Sequence, residues 1–216
     1  MNAAPLLLTG FEPFGGEILN PSWLVAQSLH GQVLAGVPVL ALQLPCVFGQ
    51  ARRELEQELE AHQPQLVLCL GQAGGRSTLS LERVAINVDD ARIADNAGAQ
   101  PVDEAVVPDG PAAYFSTLPI KAMVVSLQRA GFPASVSQTA GTFVCNHVFY
   151  GLMHALRQRP TVRGGFMHLP LLPEQAAAWP DQPSMSLATM SAGVRLALQT
   201  ALSVQTDLRW SAGSIA

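Results

Sequence analysis

The chain has 216 residues and carries 12 Lys and Arg against 16 Asp and Glu, a net charge of −4. That balance argues against nucleic acid as a partner, and the length suffices for a core that needs no disulfide or metal, so residues 1–216 are expected to form a single domain. Only 13% of residues are charged, about half the roughly 25% of an ordinary soluble domain, which leads us to expect a surface partly covered by self-association.

No apolar run approaches the ~18 residues of a membrane span, and no basic segment with a cleavage site opens the chain. The expectation is a cytoplasmic protein with no membrane partner. Cys46, Cys69 and Cys145 cannot all pair, which fits a reducing compartment.

In chain order, Leu6 to Thr9 reads as a strand running into the Gly- and Phe-rich loop Gly10 to Gly16. Asn20-Pro21 reads as a helix N-cap followed by proline at the first helical position, opening a helix to about Leu29. Val33 to Leu44 is predicted as a strand interrupted near Gly36. The charges from Arg52 to Glu60 mark a solvated helix over Val47 to His62, stopped by Pro64. Gln65 to Leu70 is a buried strand ending at Gly71, and Thr78 to Val88 alternates as another strand. Asp89 to Pro119 has little periodicity, and an irregular stretch of that length in a compact domain usually serves function or an interface. Helices follow over Leu118 to Arg129, Val144 to Arg157 and Ser186 to Ser203, with strands at Ala134 to Ser137 and Val162 to Leu169. Strands alternating with helices predict an α/β fold, with a mostly parallel sheet covered on both faces.

Cys145 falls in the first turn of a predicted helix, where unsatisfied amides and the macrodipole favour a thiolate and a pKa below the ordinary thiol value. Taken alone, a lone cysteine in an apolar sequence is a small core residue. A cysteine nucleophile needs a histidine base and a group that orients it. His30 and His62 fall at helix ends, while His147 and His154 share the Cys145 helix but point differently. His168 sits at the C-terminal end of a predicted strand, where sites of open α/β sheets lie, although a hydrogen-bonded core histidine is an equal reading. Glu82 interrupts an apolar alternation and is either an ion-pair partner of Arg76 or Arg83 or the orienter of the histidine. Asp89, Asp90 and Asp95 have no ligand-spaced His or Glu, so they read as solvated turn carboxylates, and no metal or other cofactor is expected.

The blocks Thr9-Gly-Phe-Glu-Pro-Phe-Gly-Gly16, Gly71-Gln-Ala-Gly-Gly-Arg76, Glu82-Arg-Val-Ala-Ile-Asn87, Asp89-Asp-Ala-Arg-Ile93, Ser137 to Tyr150 and His168-Leu-Pro-Leu-Leu-Pro-Glu-Gln175 run in order over Leu8 to Gln175. Together they resemble the pyroglutamyl peptidases, or pyrrolidone carboxyl peptidases, a family of cysteine peptidases. The resemblance implies a three-layer α/β/α sandwich, removal of an N-terminal pyroglutamyl residue from peptides, and a cytosolic homotetramer. It implies Cys145 as nucleophile, His168 as general base and acid, and Glu82 as third member. It also implies oxyanion donors from the Cys145 amide and Arg92, a lactam pocket walled by Phe11, Phe14 and Phe143, and the Gln72 backbone as lactam partner. Those phenylalanines could equally be core. Cys46 departs from the family's usual Thr or Val and puts a second thiol near that pocket. Two other functions compete: a nucleoside phosphorylase or hydrolase on a related sheet, with Gly71 to Gly75 holding an anion, and a non-catalytic oligomeric binding protein.

Overall fold

The structure, a computed structural model, describes residues 4–179 and 181–213. Four apolar segments, three of them buried on both faces and the third strand in chain order half-buried, have backbone groups that neighbouring strands satisfy. These are β1 (Leu6–Phe11), β3 (Val37–Leu44), β4 (Leu66–Gln72) and β9 (Arg163–Leu169), and they run parallel. β2 (Val33–Leu34) adds an antiparallel edge to β3, and β5 (Leu79–Glu82) pairs antiparallel with β9 and parallel with β8 (Ala134–Ser137). The resulting seven-stranded sheet has the order β2-β3-β1-β4-β9-β5-β8.

Alternation along the strands sorts the core into two layers. Leu6, Leu8, Leu68, Leu81 and Met167 face α1 (Pro21–Leu29), α3 (Ile120–Arg129) and α6 (Leu187–Ser203). Leu7, Phe11, Val67, Cys69 and Phe166 face α2 (Gln50–His62) and α4 (Val144–Leu156). The sheet is therefore the middle of an α/β/α sandwich, mostly parallel, as expected. At the start of α1, the Asn20 side chain accepts a hydrogen bond from the Ser22 amide at 3.0 Å and Pro21 fills the first turn.

Several elements depart from the sequence reading. The strand predicted over Val33 to Leu44 folds back on itself, because Ala35 and Gly36 take φ of 48° and 82° and make a tight hairpin turn between β2 and β3. The strand predicted over Thr78 to Val88 breaks at Arg83. Its second half, β6 (Val84–Ile86), leaves the main sheet and pairs with β7 (Ala113–Phe115), a strand inside the stretch predicted to be irregular. A short helix, α5 (Pro173–Ala176), was not expected, although proline at its first turn and the Gln175 side chain bonding back to the Leu172 amide are recognisable start signals.

Helix α3 begins after Pro119, which offers no side-chain cap. Its first-turn amides are satisfied from the far end of the chain: Asp207 accepts from the amides of Lys121 at 3.1 Å and Ala122 at 2.9 Å. Because a carboxylate at a helix start satisfies orphan donors and meets the positive end of the dipole, Asp207→Ala should lower stability by about 1 kcal/mol. The check is a reduced urea midpoint at unchanged m-value; an unmoved midpoint would mean that the bonds to Asp207 contribute nothing.

Candidate active site

The C-terminal ends of the parallel strands meet the first turn of α4. β9 delivers His168 and β5 delivers Glu82 to the same face of the sheet, on a diagonal, since Glu82 pairs with Phe166 and Ser80 with His168. Glu82 Oε1 lies 2.7 Å from His168 Nδ1. An ionised carboxylate only accepts, so Nδ1 carries the proton and Nε2 presents its lone pair. The same Oε1 accepts from the Arg76 guanidinium at 2.7 Å, and the other arm of Arg76 bonds the Thr139 carbonyl at 2.9 Å. Glu82 thus contacts Arg76 and His168 together, the groups named in its two sequence readings.

The position of Cys145 is set by a missing side chain. Gly71 of β4 pairs with His168, and a Cβ there would lie 2.8 Å from Cys145 Sγ. The sulfur therefore rests against the strand next to the one that carries the imidazole. Cys145 is half-buried, whereas Cys46 and Cys69 are buried. Phe143, the N-cap of α4, contributes no side-chain hydrogen bond, so the first-turn amides of that helix are left without a cap.

The electrostatics correct one expectation. Burial pushes the Cys145 thiol up rather than down, with Cys46 and Glu82 adding to the effect and Arg76 opposing it. Loss of water thus opposes the pull of the helix terminus on the thiol. Burial likewise lowers His168, against the Glu82 bond and charge that would raise it, while Arg76 lowers it further. Both shifts favour the uncharged forms, a thiol and an imidazole that can exchange a proton as the sulfur attacks.

An aromatic wall adjoins the sulfur. Phe14 and Phe143 lie 6.0 Å apart between ring centroids, Phe48 meets Phe143 edge-on at 5.3 Å, and buried Phe11 lies 6.5 Å from Phe166. Phe48 was missed by the sequence reading, although it follows Pro45-Cys46 just past the end of a strand. Cys46, Phe11 and Phe14 belong to the same apolar cluster as Cys145. The Gln72 side chain is engaged by Gln175 at 3.1 Å.

Asp89 and Asp95, expected in solvent, are buried. Asp89 accepts from His147 at 2.8 Å, and Asp95 accepts from the amides of Phe48, Ala97 and Ala99. His147 in turn accepts from the Gly49 amide at 3.0 Å, and Asn146 bonds the backbone of Ile86 and Val88. The residues after Cys145 therefore hold the loop that leads to Arg92. Arg92 itself is exposed, two residues beyond the Asp90–Thr142 backbone bond. Among the described residues no group of three or more His, Cys, Asp or Glu is placed to hold a metal ion, and no helix is long and apolar enough to cross a membrane.

The sequence profile of pyroglutamyl peptidase matches residues 4–204. A pyrrolidone-carboxylate peptidase of Cupriavidus taiwanensis is 61% identical over 212 residues, covering 97% of this chain and 98% of that one. One from Klebsiella pneumoniae is 59% identical over 211 residues, covering 98% and 99%. The crystal structure of pyroglutamyl peptidase I from Bacillus amyloliquefaciens superposes with a TM-score of 0.92 at 46% identity, covering 94% of this chain and 99% of that one. Sequence and fold thus agree along almost the whole length, and the chain belongs to the pyroglutamyl peptidase family.

Proposed function

We propose that this protein is a cysteine peptidase that hydrolyses the bond after an N-terminal pyroglutamyl residue, with Cys145, His168 and Glu82 as its catalytic groups. The observation that carries this reading is the Glu82–His168 hydrogen bond at 2.7 Å beside a sulfur seated on Gly71, in a chain of this family. Family membership also sets aside the nucleoside phosphorylase and the non-catalytic binding protein.

His168 Nε2 takes the Cys145 proton as Sγ attacks the pyroglutamyl carbonyl carbon. The oxyanion of the tetrahedral intermediate is received by the Cys145 amide at the uncapped start of α4 and by the Arg92 guanidinium. The proton on Nε2 passes to the amine as the C–N bond breaks, leaving a thioester on Cys145. Water then attacks the thioester, giving its proton to Nε2, and the C–S bond breaks as the thiol is restored. Glu82 holds Nδ1–H throughout and stabilises the imidazolium that forms transiently.

The pyroglutamyl lactam is small, flat and uncharged, which suits walls of Phe11, Phe14 and Phe143 with the Gln72 backbone as a polar contact. An ordinary peptide terminus brings an ammonium that such a pocket would have to desolvate unpaired, which gives a physical basis for its exclusion. Low charge and exposed Ile18, Val102 and Phe115 support a covered face and a homotetramer, and three unpaired thiols support a cytoplasmic location.

The test is acid-quenched turnover of a pyroglutamyl ester followed by peptide mapping in a mass spectrometer. The pyroglutamyl group is expected on the peptide that contains Cys145. Turnover with no acyl group on that peptide at any quench time would refute a thioester on Cys145.

A further inference from the structure

Glu82 is fully buried, and two donors share its Oε1 at 2.7 Å while Oε2 has no hydrogen-bond partner among the described residues. A buried carboxylate with a single imidazole partner is compensated most simply when that imidazole becomes a cation. A cationic ring at rest has no lone pair on Nε2 and cannot take a proton from the thiol. The second partner here is a guanidinium, which keeps its proton throughout the working pH range.

We propose that Arg76 is a positioning residue of this reaction: its guanidinium compensates Glu82 so that the carboxylate orients His168 without protonating it, and it braces the loop that leads into Cys145. The inference rests on the catalytic assignment above. The bracing arm is the bond to the Thr139 carbonyl at 2.9 Å, six residues before the nucleophile. One planar group thus spans the acid of β5 and the loop before α4, which a lysine ammonium, a single point charge, cannot do with the same geometry.

The charged groups that act on the imidazole are Glu82 from β5 and Arg76 from the β4–β5 loop; β4 presents Gly71 beside it, against which the Cys145 sulfur of α4 rests. Burial and Arg76 hold His168 below its ordinary value against the pull of Glu82. Removing the cation therefore shifts the balance toward the protonated ring.

The experiment is NMR titration of isotope-labelled histidine in wild type, Arg76→Gln and Arg76→Lys, paired with the pH profile of kcat/KM on a pyroglutamyl arylamide. In Arg76→Gln, His168 should titrate about one pH unit higher, and the acid limb of the profile should move with it. In Arg76→Lys, His168 should titrate as in wild type while the plateau of kcat/KM falls, because the charge remains and the fork is lost. An unmoved His168 in Arg76→Gln, or a shift in Arg76→Lys as large as in Arg76→Gln, would overturn the proposal. Should Arg76→Gln fail to fold, Arg76→Lys decides alone: an unmoved His168 with a lowered plateau supports the role, and a shifted His168 or an unchanged plateau refutes it. The titration needs no turnover, so a wild type inactive on pyroglutamyl substrates would reject the catalytic reading while His168 still reports on Arg76.

Discussion

Cys145→Ala is expected to lower kcat/KM on a pyroglutamyl arylamide on the order of 10⁴-fold, while Cys46→Ala stays close to wild type. Each thiol has a different environment. Burial raises all three thiols, Cys69 and Cys46 to about 12, the latter with help from the Glu12 and Asp95 carboxylates, so what separates them is access and not acidity. Cys145 is the least buried of the three and rests against the strand position paired with His168. Iodoacetamide should therefore modify Cys145 ahead of the other two in the folded protein, and activity should fall in step with that modification. A Cys145→Ala variant that retains the full rate would remove the nucleophile from the reading, whatever Cys46 does.

Gly71→Ala should cost about 10²-fold in kcat. The backbone at Gly71 is ordinary strand, so alanine meets no conformational penalty and the substitution isolates steric displacement. The added methyl would lie 2.8 Å from Cys145 Sγ and 2.8 and 2.9 Å from two carbons of the Phe166 ring. Either the sulfur or the ring must move, and a displacement near 1 Å at a nucleophile is enough for a loss of that size. Overpacking of the same layer should also reduce stability by about 1–3 kcal/mol. Measuring kcat well below the variant's melting temperature separates the two effects. A folded variant with undiminished kcat would mean that the sulfur works from somewhere other than its seat on β4.

Much of this arrangement was legible in the sequence because it rests on local signals. Asn20-Pro21 announces α1, Pro64 ends α2, and the apolar runs at Leu66 and Gly164 mark two central strands. Placement made the cysteine and the histidine candidates, one in a helix's first turn and the other at a strand end, and the family resemblance assigned them their roles. Glu82 could not, since its role depends on a strand pairing that brings it to a residue 86 positions away. The buried states of Asp89 and Asp95 were misread for the same reason: their partners His147 and Phe48 lie 58 and 47 positions away. The depressed thiol expected from the helix terminus was a local argument, and burial, which no local pattern reports, pulls the other way. The tail is a similar case, because Asp207 lies beyond the family match and acts on a helix that begins at Ile120.

The short strand that carries the acid has little tolerance for changes in length. Ser80 and Glu82 face the layer of α4, while Leu79 and Leu81 between them face the layer of α6. A single residue inserted or deleted between Thr78 and Glu82 would slip this alternation by one and turn each of those side chains to the opposite layer. The imidazole would then face a leucine or Arg83, and a carboxylate would enter the leucine-rich side. Length changes near the acid should therefore be tolerated only in the loops on either side of that strand.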